Sequence, residues 1–232
     1  SHFTVNLVDP ASYNPSNNGI DAMFSGCKAI TEIKFGPGFN TSGIKYMQYV
    51  FEECNNLNTL VGLHYFNTSS VTTYLGLFKG CNSIEKLDLS SFTNNQSTTI
   101  RQDRMFENCR NLKTIYANPS EWPIKDPEPD GSGWNTFSNC TLLVGGNGTI
   151  FNTIVNGHSD TEYWFGFVDG TSNASLGTIS NGAVNTAYSN NSDLRTKGYF
   201  TDFDGSVKAT NKDKYKTDFP DGYAYHFPSN NS

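Results

Sequence analysis

Cysteine and histidine are the side chains best suited to metal binding, redox exchange or nucleophilic attack, and their spacing here argues against all three. Five cysteines stand at Cys27, Cys54, Cys81, Cys109 and Cys140, separated by 27, 27, 28 and 31 residues. Zinc sites and dithiol centres draw on cysteines roughly two to four residues apart, and no such pair occurs. In stacked copies, equivalent cysteines would lie near the ~4.8 Å strand spacing with parallel Cβ vectors, which suits free thiols better than disulfides. A buried ladder of reduced cysteines is the expectation. The four histidines, His2, His64, His158 and His226, lie far apart and outside any metal or nucleophile motif. Asp202-Phe-Asp204-Gly205 begins like a calcium loop but lacks the later ligands, so it reads as a β-turn. The acidic stretch 126–130 reads as a solvated loop. No carboxylate pair announces a glycosidase dyad. The expectation is no catalytic residue, no cofactor and no metal.

The cysteines belong to a line of sequence that recurs. Met105-Phe-Glu-Asn-Cys-Arg-Asn-Leu-Lys-Thr-Ile115 is matched at 23–33, 50–60 and 77–87, and in a worn copy at 136–143. Each Cys has Phe three before it and Ile or Leu three after it. Self-similarity at this period is the mark of a leucine-rich-repeat solenoid. Five copies of 27–31 residues would fill 20–144, with 1–19 as an N-terminal cap and 145–232 as a C-terminal module. A net charge of −6 and a pI near 5.1 argue against a nucleic-acid groove, which needs clustered Lys and Arg. No run approaches the ~20 apolar residues of a membrane helix, so no insertion of this chain into a membrane is expected.

Two periods alternate within a copy. Ile44, Met47, Val50, Phe51 and Cys54 fall on one face of a helix, and Val71, Tyr74, Leu77, Phe78 and Cys81 repeat those offsets. Gly or Asn precedes four of the five cysteines, the residue types that a left-handed terminator asks for. After the Cys the period becomes two: Ile33 and Phe35, or Leu87 and Leu89, alternate with polar partners as in a half-buried strand. A returning turn follows, Phe39-Asn-Thr-Ser or Phe66-Asn-Thr-Ser. Helix-like turns on one side and one parallel strand ladder on the other are expected. Four prolines between 119 and 129 mark a loop before the last copy.

The line at 66–90, Phe-Asn-Thr-Ser-x-Val-x-x-x-x-x-Leu-Phe-x-Gly-Cys-x-x-Ile-x-x-Leu-Asp-Leu-Ser, resembles the BspA-type leucine-rich repeats of bacterial surface lipoproteins. Leu143-Val-Gly-Gly-Asn-Gly-Thr149 and Gly198-Tyr-Phe-Thr201 are similar to the closing segments of such proteins. The resemblance implies a secreted or cell-surface bacterial protein that adheres to host matrix or to another cell. It supplies no catalytic residue.

A protein ligand would meet the outward positions of the strands, five and seven residues after each Cys. These are Glu32, Lys34, Thr59, Val61, Lys86, Asp88, Thr114 and Tyr116, with Tyr116 the expected anchor. The C-terminal module is rich in Gly, Asn and aromatics, with turn pairs such as Asn156-Gly157, and reads as mostly β. Within it, Tyr163-Trp-Phe-Gly-Phe-Val168 and Tyr223-Ala-Tyr-His-Phe227 read as strands. Tyr163, Trp164 and Phe165 supply the alternative reading, a glycan platform. The leading expectation is a non-catalytic adhesion domain for a protein ligand. A carbohydrate-binding module comes second, and an enzyme with unrecognised carboxylates third.

Overall fold

Five phenylalanines, each three residues before a cysteine, run through the molecule as a single column. Ring centroids lie 5.7 Å apart between Phe24 and Phe51, 5.3 Å between Phe51 and Phe78, 5.8 Å between Phe78 and Phe106, and 5.4 Å between Phe106 and Phe137. Their planes are within 15° of parallel. Phe39, Phe66 and Phe92 form a second row beside them. The computed structural model describes residues 2–5, 18–93, 100–121, 135–147, 154–155, 158–159, 200–203 and 211–227. Within them one apolar core extends from Ile20 to Phe200.

The cysteines form a second column. All five are free thiols. Cys54 Sγ donates to the Phe24 carbonyl at 3.1 Å, and Cys81, Cys109 and Cys140 do the same to Phe51, Phe78 and Phe106 at 3.0–3.1 Å. Each of these four thiols thus gives a second donor to a buried carbonyl of the preceding copy, a role that a disulfide would forfeit.

Short parallel strands lie on one side. β1 (His2–Val5), β2 (Glu32–Phe35) and β3 (Thr59–Val61) make one sheet, pairing Glu32 with Thr59 and Ile33 with Leu60. β4 (Lys86–Leu89), β5 (Thr114–Ala117) and β8 (Phe200–Asp202) make another, in which Lys86 faces Thr114 and Ile115 faces Phe200. The hairpin expected at Asn156-Gly157 is flanked by an antiparallel pair, β6 (Ile154–Val155) and β7 (His158–Ser159). Two short helices follow, α1 (Lys212–Asp218) and α2 (Pro220–His226).

The expected α/β leucine-rich-repeat solenoid is therefore corrected. No α-helix occurs among the described residues of the copies, and no continuous strand ladder runs through them. The strands fall instead into separate three-stranded parallel sheets. The only α-helices among the described residues lie at 212–226, inside the module expected to be β, and the 223–227 segment read as a strand sits largely in α2.

The failure of the helix has a local cause. Ala22, Tyr49, Gly76, Arg104 and Asn135, each five before a Cys, have φ between 56° and 60°. The residue just before each Cys is left-handed as well, at Gly26, Glu53, Gly80, Asn108 and Asn139. A left-handed residue every fourth position prevents the consecutive right-handed residues that i→i−4 bonding requires. The backbone runs as linked turns instead. Alternate N–H groups close turns, as from Cys54 to Phe51, while the others reach the next copy: Tyr49 to Leu75, Phe51 to Leu77 and Glu53 to Lys79. Side chains at offsets 0, 3, 6, 7 and 10 still point inward; Ile44, Met47, Val50, Phe51 and Cys54 are all buried. The apolar face is the one expected, on a different backbone.

Candidate partner-binding surface

The eight outward strand residues divide into two groups of four. Glu32 and Lys34 on β2 and Thr59 and Val61 on β3 stand on the first sheet. Lys34 is half-exposed and ion-paired with Glu32 at 2.9 Å, and Thr59 and Val61 are partly exposed. Lys86 and Asp88 on β4 and Thr114 and Tyr116 on β5 stand on the second. There Asp88 is 3% exposed and Tyr116 fully buried. The column is continuous within each sheet and differs between them in what covers it.

The cover is the chain's own helical pair. Tyr116, Phe203 and Tyr215 form a small second core, with Phe219 and Phe227 packed against it. Phe203 and Tyr215 stack at 3.6 Å, and Tyr116 meets Tyr215 edge-on at 5.2 Å, the offset and T-shaped arrangements that aromatic quadrupoles favour. Around these rings lies a polar network. Tyr116 donates to Asp218 Oδ2 at 2.7 Å, and Lys214 Nζ donates to Tyr116 Oη at 2.8 Å while lying over its ring. Lys86 and Lys214 pair with Asp218 at 3.3 and 3.2 Å. Asp88 accepts from the Ser90 amide and hydroxyl and from Tyr215.

Burial, together with the Asp218 carboxylate, raises the Tyr116 hydroxyl well above its ordinary pKa; burial and Asp88 do the same for Tyr215. Both phenols are therefore donors at neutral pH. Burial alone would lift Asp218, but hydrogen bonds from Tyr116 and Lys214 outweigh it and hold the carboxyl below its usual value. The arrangement is a clasp.

The sequence reading missed Tyr215, Asp218 and Phe219. Signals for them existed: Pro220 at a first helical position and Lys214 four before Asp218. The period-two aromatics at 223–227 outweighed them. The alternative platform Tyr163, Trp164 and Phe165 lies outside the described residues, as does the 126–130 loop. Among the described residues no group of three or more His, Cys, Asp and Glu is placed to hold a metal ion. No helix among them is long and apolar enough to cross a membrane.

Residues 18–129, just under half of the chain, match the model of a family described as Mycoplasma protein of unknown function, DUF285. The matched span covers the first four copies and both β2–β3 and β4–β5. No curated protein matches the chain. No solved structure matches it either.

Proposed function

We propose that this chain is a non-catalytic interaction domain that binds a protein ligand, displayed on the outside of a bacterial cell. The observation that carries the reading is the contrast between the two sheets. The outward face of β4–β5 holds a polypeptide segment, the chain's own α1 and α2, through Lys86, Asp88 and Tyr116. The same register positions of β2–β3 carry Glu32, Lys34, Thr59 and Val61, all at least partly exposed, and of the four it is Val61 that borders the cleft beside the helical pair. Likeness of 66–90 to BspA-type surface proteins supports the surface location and an adhesive role toward host matrix or a neighbouring cell. The match of 18–129 supports the bacterial setting.

The test is binding to a panel of immobilised matrix proteins, run beside a glycan array. A matrix protein that binds the native chain and is lost with Lys34→Glu combined with Val61→Asp supports the reading. Glycan binding that survives this double change and disappears with Trp164→Ala would replace it with a carbohydrate-binding module.

A further inference from the structure

Between the two sheets the ladder stops and leaves a space. β3 ends at Val61, and Gly62, at φ 89°, turns the chain into a 3-10 turn at Leu63–Tyr65. The start of α2 lies opposite. Together they enclose a cleft of about 120 Å³, with Leu60, Val61, Leu63 and Phe219 on its apolar side and Asp88 and Asp221 among its polar walls.

The size decides what the cleft can hold. Sites for whole metabolites run to about 300–1,000 Å³. A cavity of about 150 Å³ takes one benzene. A space of about 120 Å³ is therefore room for a single side chain.

Charge decides which one. Asp88 is 3% exposed, and all of its hydrogen bonds come from neutral donors: the Ser90 amide, the Ser90 hydroxyl and the Tyr215 phenol. Asp221 is exposed and has no ion-pair partner among the described residues. The nearby cations Lys86 and Lys214 are both turned to Asp218. Burial keeps the His64 imidazole in the wall below its usual pKa, so it adds no cation at neutral pH. Of the three aspartates in the wall, Asp218 is paired with Lys86 and Lys214, which leaves Asp88 and Asp221 beside the apolar slot with no lysine of their own.

We propose that this cleft is the anchor pocket of the binding face and accepts one basic side chain, arginine or lysine, from a protein partner. The aliphatic stem would lie against Leu60, Leu63 and Phe219, and the cationic end would reach Asp88 and Asp221. Basic residues suit such a site because the stem buries apolar surface while the head keeps its charge. Val61 lines the cleft and also belongs to the open face, so a partner lying across β2 and β3 would reach both. Only the identity of the partner rests on the proposed interaction role; the pocket's chemistry stands apart from it.

The experiment titrates N-acetylarginine amide into the isotope-labelled full chain and follows amide shifts by NMR, with N-acetylnorleucine amide as the uncharged control. Shifts confined to Val61, Gly62, Leu63 and Gly222 are expected, with the control at least about fivefold weaker because it lacks the charge-assisted contact. Asp88→Asn risks loosening the helices, so Asp221→Asn is the chosen variant. It should weaken the arginine probe about threefold, as loss of one of two carboxylates implies, and leave other amides in place. Equal responses to the charged and uncharged probes, or arginine shifts scattered away from the cleft, would overturn the proposal. Should a matrix protein bind through Lys34 and Val61 while the cleft amides stay unmoved, the anchor falls and the interaction role stands. Should the arginine probe fill the cleft while no protein ligand is found, the interaction role falls and the pocket stands.

Discussion

The phenol of Tyr215 donates to Asp88 Oδ2 at 2.5 Å, across 127 residues of chain. With the Tyr116–Asp218 and Lys86–Asp218 contacts, this bond ties the helical pair to β4 and β5 of the second sheet. It also explains why a carboxylate is tolerated at 3% exposure, since three neutral donors surround it. Buried carboxylates need such satisfaction to remain in place.

Tyr215→Phe should therefore loosen the helices before it touches the core. Removing one donor from a buried acceptor costs about 1–3 kcal/mol. Hydrogen exchange should speed up across 211–227 while the amides of Phe51 and Phe78, bonded to the next copy, keep their protection. Unchanged exchange in the helices would show that the aromatic stacking alone secures them.

Acid should weaken the fold in two steps of known sign. Burial holds His64 and His226 below the ordinary imidazole value, so the unfolded chain takes up protons first. Their contribution is complete above about pH 6.5 and declines as pH falls toward the folded values. Asp218 is also depressed, so its contribution lasts down to the ordinary carboxylate value near pH 4 and is lost as pH falls through the lower, folded one. Melting temperature measured from pH 8 to pH 3 should show both declines, and His226→Gln should shrink the first. A flat profile between pH 7 and pH 5 would contradict the histidine step.

Phe78 lies in the middle of the stacked column, fully buried between Phe51 and Phe106. Phe78→Ala should cost about 3–5 kcal/mol, as other large core truncations do. Urea unfolding measures this directly, and a loss under about 1 kcal/mol would mean that the neighbouring rings close the gap.

Cys54, Cys81, Cys109 and Cys140 are fully buried, and burial pushes the thiols of Cys54 and Cys109 up to about 12. Thiolate is the reactive form. A thiol reagent should label native protein slowly, at the partly exposed Cys27 first, and should find nearly five equivalents after denaturation without reductant. A count of three or one would show disulfides.

Backbone strain offers a test of the turn geometry. Gly62 sits at φ 89°, where an added Cβ would overlap the Phe35 carbonyl, so Gly62→Ala should destabilise by more than about 1 kcal/mol. Arg104, exposed at φ 56°, should behave oppositely: Arg104→Gly relieves a strained conformation and should be neutral or stabilising by up to about 1 kcal/mol. The thermal melt should fall for Gly62→Ala and should hold or rise for Arg104→Gly. Loss of stability in Arg104→Gly would argue against the left-handed assignment.

The phenylalanine and cysteine columns were legible because a fixed period places like residues over like residues. The left-handed residue before each Cys was legible where it was Gly26, Gly80, Asn108 or Asn139, types that favour that conformation. The second left-handed residue was hidden. Ala22, Tyr49 and Arg104 carry no such preference, and at Ala22 and Tyr49 cross-copy hydrogen bonds to Gln48 and Leu75 rather than propensity hold the backbone there. Without that clue, the offsets from Ile44 to Cys54 fit a helix. The outward column was legible residue by residue, but its covering was not. The contact of Tyr116 with Asp218 joins residues 102 apart, and nothing local to either one announces it.

The linked turns also give the molecule an electrical direction. In the first four copies the N–H groups five, three and one before each Cys aim at carbonyls of the copy that follows, or, in the fourth, those three and one before it. Peptide dipoles oriented alike add, as they do along a helix, although here they sum across the chain rather than along it. The end near Ala22 is therefore the negative pole and the end near Asn139 the positive one. A cation brought near the first, or an anion near the second, meets a backbone field that adds to that of the ionised side chains around it.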